Sequence, residues 1–139
     1  MTAKQFLSQA KKIDKKIDNY VLEMEQLLTL STKITPNNTE ERVQTSGIGD
    51  KVGDGAAKIV DVQRELDKWV DELIIKKKEI RNVIEKVDDV KCYDLLYKRY
   101  LLYKKWEEIA LDMNYTTMGI WKMHGRALKK VEEILKSLL

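Results

Sequence analysis

From Phe6 onward the apolar positions recur in alternating steps of four and three: Phe6, Ala10, Ile13, Ile17, Tyr20, Met24, Leu27, Ser31 and Ile34. A row of that period belongs to a helix that lays one stripe against a partner helix, so the pattern predicts a first helix over 3–34. Thr2 with Gln5 three residues later makes a capping-box pair at its start. The period then breaks in TPNNTEERVQTSGIGDKVGDG, which holds the single proline, two adjacent asparagines and four glycines, and predicts a loop over 35–51. Val52, Ala56, Ile59, Gln63, Leu66, Val70, Leu73, Lys77, Ile80, Ile84 and Val87 resume the spacing, with polar Gln63 and Lys77 interrupting it. They predict a second helix over 52–87. Two such helices joined by a loop fold most simply into an antiparallel coiled-coil hairpin, roughly 45–55 Å long at 1.5 Å per residue. Leu7, Val21, Leu28, Val60, Trp69 and Ile74 flank the seam and widen the stripe enough for a bundle, which leaves open a homodimer through the hairpin.

VDDV at 87–90 interrupts the second helix with two residues that favour N-caps. Three helices follow in the pattern, over 90–101, 106–113 and 117–136, with breaks at LLYKK and NYT. The chain therefore reads as all-α: a hairpin domain over 1–88 and a three-helix domain over 89–139. In the latter a short helix, a turn and a longer helix have the outline of a helix-turn-helix. Ile109 and Ala110 face inward from the first of these, and Ile120, Met123, Ala127, Val131 and Leu135 from the second, while Thr116 caps the last helix. Thr117, Met118, Trp121, Lys122, Gly125, Arg126 and Lys129 are left on its outer face. There Lys122 suits guanine edges, Thr117 a base or a phosphate, and Arg126 and Lys129 the backbone, so duplex DNA is the expected partner.

Charge adds a bias in the same direction. Residues 1–89 hold 16 Lys/Arg against 17 Asp/Glu, a balance of −1, whereas residues 90–139 hold 10 against 6, a balance of +4, so the positive excess sits in the C-terminal third. Cys92 is the single cysteine and reads as a small core residue; a reducing cytoplasm is the expected home. The N-terminal stretch MTAKQFLSQAKKIDKK has no signal-peptide run and no window approaches a membrane span, so no membrane partner is expected.

Catalytic chemistry finds no footing. His124 is the single histidine, so neither a Cys/His metal cluster nor a serine-type triad can be assembled, and no enzyme, metal or cofactor is expected. It reads as a surface or partly packed imidazole beside the DNA backbone phosphates. Glu107 and Glu108, in a first turn, serve the helix dipole. GIGDKVGDG lacks the Gly-Lys-Ser/Thr ending of a phosphate loop and reads as a connection, with Arg42–Asp54 as a partner-docking tip in the alternative. Tyr93, Tyr97, Tyr100, Tyr103 and Trp106 have helical spacing and read as core and rim, with base stacking as the lesser reading.

The run YDLLYKRYLLYKKWEEIALDMNYTTMGIWKMHGRALKKVEEIL resembles region 4 of the sigma-70 family, in the tyrosine-rich variant of small phage regulators. The whole chain, including EERVQTSGIGDKVGDGAAKIV, is similar to prophage proteins of low-GC Gram-positive bacteria related to the RinA and ArpU types of late-gene transcription regulator. The resemblance implies a sequence-specific DNA-binding module that switches on phage genes and touches RNA polymerase. It places Thr116 at the helix-capping position, Thr117, Met118, Trp121 and Lys122 at base-reading positions, and Arg126 in the basic "RAL" segment. Thr116-Thr117-Met118-Gly119 departs from the Ser-Glu-Arg-Thr type of run and lacks its charged pair, and Gly119 costs about 1 kcal/mol of helix propensity. Two other classes compete with the regulator: an interaction module that docks on a protein, and a DNA-packaging component, in which the helix-turn-helix usually comes first in the chain.

Overall fold

The computed structural model describes residues 1–37 and 45–139, with side chains described for 1–32 and 53–139. Among these residues all regular structure is helical, with no strand. The helices are α1 (Ala3–Leu7), α2 (Gln9–Asn37), α3 (Thr45–Glu85), α4 (Val90–Leu96), α5 (Trp106–Met113) and α6 (Thr117–Ser137), and α4 runs on into one π turn, Tyr97–Leu101.

Each start has a local cause. The Thr2 hydroxyl accepts from the Gln5 N–H at 3.2 Å while the Gln5 side chain accepts from the Thr2 N–H at 2.9 Å, which is the expected capping box. Asp89 accepts from the N–H groups of Lys91 and Cys92, and those bonds hold its carboxyl below the usual range. The first helix is not continuous: Ser8, a weak helix former, closes α1 in a turn conformation. Part of the loop expected over 35–51 is helical. Helix extends through Asn37 and resumes at Thr45, because a glycine in a helix costs about 1 kcal/mol without forbidding it. Residues 38–44 of that loop, and the side chains of the expected docking tip up to residue 52, lie outside the described residues.

The chain packs as two compact units, Met1–Ile13 with Leu73–Leu139, and Asp14–Glu72. These are not the segments 1–88 and 89–139 that chain order suggests. The reason lies in the first unit's core, where Ala3, Leu7 and Ala10 join Ile80, Val83, Ile84 and Val87 of α3 against Leu95, Leu96, Ile109, Ile120, Met123, Ala127 and Val131. Leu7, expected beside the seam, is fully buried, whereas Phe6, expected on it, is half-buried. Burying one leucine stabilises by about 1.5–3 kcal/mol, so α1 is a working part of this unit.

In the second unit Lys16 sets its ammonium 4.1 Å from the centre of the Trp69 ring, and the Ser31 hydroxyl lies 3.4 Å from where a Cβ on Gly55 would stand. The α3 seam is shifted from the expected row. Val62 is buried and Leu66 and Trp69 half-buried, while Gln63 and Val70 are exposed, so the row runs 59, 62, 66, 69 in place of 59, 63, 66, 70. Both rows fit a four-three period, and the apolar choice wins because the inner position removes a side chain from water. Gln63 on the outside donates to Asp67 at 2.8 Å.

Candidate nucleic-acid interface

Helix α5 ends at Asn114, whose left-handed backbone (φ 59°) turns the chain, and the Tyr115 N–H closes that end on the Ala110 carbonyl at 2.9 Å. After this short turn Thr116 caps α6, its hydroxyl accepting from the Gly119 N–H at 3.0 Å. A Cβ on Gly119 would stand 3.2 Å from the Thr116 hydroxyl, close enough that the cap would have to give by a few tenths of an ångström, and in ordinary contact, 3.5 Å, with the Tyr115 ring. Ile109, Ala110, Ile120, Met123, Ala127 and Val131 are buried as expected, with Leu135 half-buried, so α6 is clamped along one side.

The opposite side is open. Thr116, Thr117, Met118, Trp121, Lys122, Gly125, Arg126 and Lys129 are all exposed, Met118 to 62% and Trp121 to 55%. The sequence carries no acidic residue between Asp112 and Glu132, so over 117–131 the charged groups on this side of α6 are all cationic, and acid enters only with the exposed Glu132 and Glu133 beyond Lys129. Lys91 reaches over the Tyr115 ring at 5.6 Å; its hydrogen bond to Tyr115 raises its pKa, and the nearby Arg126 charge opposes that. Sequence spacing along α6 could not find Lys91, which comes from the first turn of α4.

The other flank is aromatic. Tyr100 Oη and His124 Nε2 lie 2.7 Å apart, and the imidazole packs edge-on against Trp106 at 4.7 Å. Burial, with the Lys4 and Arg99 charges adding to it, lowers the His124 pKa to about 4, and burial pushes Tyr100 up to about 12. At neutral pH both groups are uncharged, and the imidazole tautomer sets which of the two donates. His124 is partly packed as expected. Tyr100 is buried, and Tyr93, Tyr97 and Trp106 are half-buried against the core, so the aromatics are core and rim. Cys92 is buried, and burial pushes its thiol up. Among the described residues no group of three or more His, Cys, Asp or Glu is placed to hold a metal, and no helix is long and apolar enough to cross a membrane.

Fold and site together define an all-helical protein whose last helix presents an open, cationic and aromatic face. The chain belongs to the family described as "Protein of unknown function (DUF1492)", whose model matches residues 31–132. No curated protein and no solved structure matches it.

Proposed function

We propose that the chain is a sequence-specific, duplex-DNA-binding transcription regulator of phage or prophage genes, with α5 and α6 working as a helix-turn-helix of the sigma-70 region 4 kind. One observation carries this reading: the exposed row Thr117, Met118, Trp121 and Lys122 on the first two turns of a helix clamped from behind. Such a row fits a major groove. Lys122 donates to guanine edges, and Thr117 reaches a base or a phosphate. Met118 and Trp121 offer apolar surface to thymine methyls, a substitute for the missing charged pair. Arg126 and Lys129 neutralise phosphates, and Thr116 fixes the start of the reading helix. In this reading α2 and α3 form an antiparallel helical hairpin, which the pairings of Lys16 with Trp69 and of Ser31 with Gly55 support. The hairpin joins two copies or docks on RNA polymerase, in the host cytoplasm, and no reaction is assigned to the chain.

The exposure of Met118, Trp121 and Leu111 also suits a second reading, a docking face for a protein. Incubating the purified protein with sheared host and phage DNA, and sequencing what it retains, separates the two. Under the first reading one or a few sites are enriched. Lys122→Ala then abolishes the preference among duplexes, and Arg126→Ala weakens binding to all of them and lowers the salt slope by about 1. Uniform recovery that vanishes as salt rises overturns the regulator in favour of docking.

A further inference from the structure

The first unit carries a second cationic feature that the outer face of α6 does not include. Lys4 of α1, Ser8, Lys11 of α2, Arg99 of the π turn, Tyr103 and Trp106 line a cleft of about 100 Å³. That is room for a compact anion. Arg99 is fixed in place: its guanidinium lies 4.4 Å from the centre of the Trp106 ring, and Nη1 donates to the Lys104 carbonyl at 3.0 Å. The Lys77 ammonium sits 4.8 Å from the centre of the Tyr103 ring and adds a further positive charge. No carboxylate lines the cleft, and among the described residues neither Lys4, Lys11 nor Arg99 makes an ion pair. Cations gathered in a partly enclosed space without an acid raise the local potential and attract an anion. Two lysine point charges beside a rigid guanidinium fork and a hydroxyl match the many acceptor oxygens of phosphate.

We infer that this cleft is a phosphate-binding subsite, built where α1 and the start of α2 pack beside the residues that lead into α5. For the source of the phosphate the inference rests on the proposed function, in which it is a backbone phosphodiester of the duplex held by α6. The subsite itself is tested without DNA. Sodium phosphate is titrated into the full chain at constant ionic strength while the Trp106 indole N–H is followed by NMR, and the titration is repeated with the double variant Lys4→Gln/Lys11→Gln. The control, Lys15→Gln/Lys58→Gln, removes equal charge from exposed positions of the other unit. The expected result is a saturable shift in parent and control, weakened at least tenfold in the cleft variant. No saturable shift, or an equal one in both variants, overturns the subsite. In a second arm the cleft variant lowers the slope of log affinity for duplex against log salt by about 1, the value for one phosphate. An unchanged slope overturns the backbone as the source. A parent that takes phosphate yet ignores duplex refutes the regulator while keeping the subsite, its ligand then being a free phosphate compound.

Discussion

Gly119 shows how a residue that looks unfavourable in sequence acquires a cause in the structure. Its helix propensity is poor, yet a Cβ there would come within 3.2 Å of the Thr116 hydroxyl that caps the helix and press on that cap. Gly119→Ala is therefore expected to lose about 0.5–1 kcal/mol through the strained cap, despite the propensity gain. Gly125→Ala, where a Cβ meets nothing within 4 Å, is expected to gain up to about 1 kcal/mol. Urea titration of both variants decides the point, and a stabilised Gly119→Ala would remove the steric argument. His124 makes a pH prediction. Its ring binds a proton less readily folded, with a pKa of about 4, than at the ordinary 6.5, so the folded state loses stability as pH falls from 6.5 through 4. At about 1.4 kcal/mol per unit, discounted for the ring's partial exposure, the loss is about 2 kcal/mol. His124→Asn should flatten that stretch of the stability profile relative to the parent; parallel profiles would contradict it.

Among the elements, the α3 seam is where pattern and packing part. The four-three rhythm announces a long helix with one packed stripe, but a rhythm that two neighbouring rows satisfy does not choose between them. Burial of Val62 and exposure of Gln63 make the choice testable. Val62→Ala should cost about 1–2 kcal/mol and Gln63→Ala less than about 0.5, read as shifts in the denaturation midpoint at constant slope. The reverse order would restore the other row. Helix starts were the most legible feature, since Thr2, Asp89 and Thr116 are caps whose partners lie within three residues. The ends beside residues 38–44 were less so, because proline and glycine there mark a tendency to break and not the residue at which the helix stops.

For the whole molecule, the consequential finding is that the N-terminal turn and the end of α3 share a core with the last three helices. The segment 89–139 looks in sequence like a domain that could be cut out and studied alone. Cutting there removes Ala3, Leu7, Ala10, Ile80, Val83, Ile84 and Val87 from the core it would need. Each lost aliphatic contact costs on the order of 1–3 kcal/mol, against a total stability of about 5–15 kcal/mol for a domain. The 89–139 fragment is expected to lack a cooperative thermal transition by circular dichroism, whereas the full chain has one. A fragment that melts cooperatively near the parent's midpoint would show that these contacts are dispensable. The cleft beside Trp106 depends on the same assembly, as Lys4 and Lys11 reach it only because α1 is docked.

The sequence by itself determined the helical class, the caps, the clamped and open sides of α6, and the row from Thr117 to Lys129. All of these follow from period and side-chain chemistry acting within a few residues. The tertiary structure decided which row of α3 faces inward, how His124 is held neutral, and that Lys4, Lys11 and Arg99 meet. Each of those depends on contacts between segments distant in the chain, and local spacing carries no information about where such segments meet.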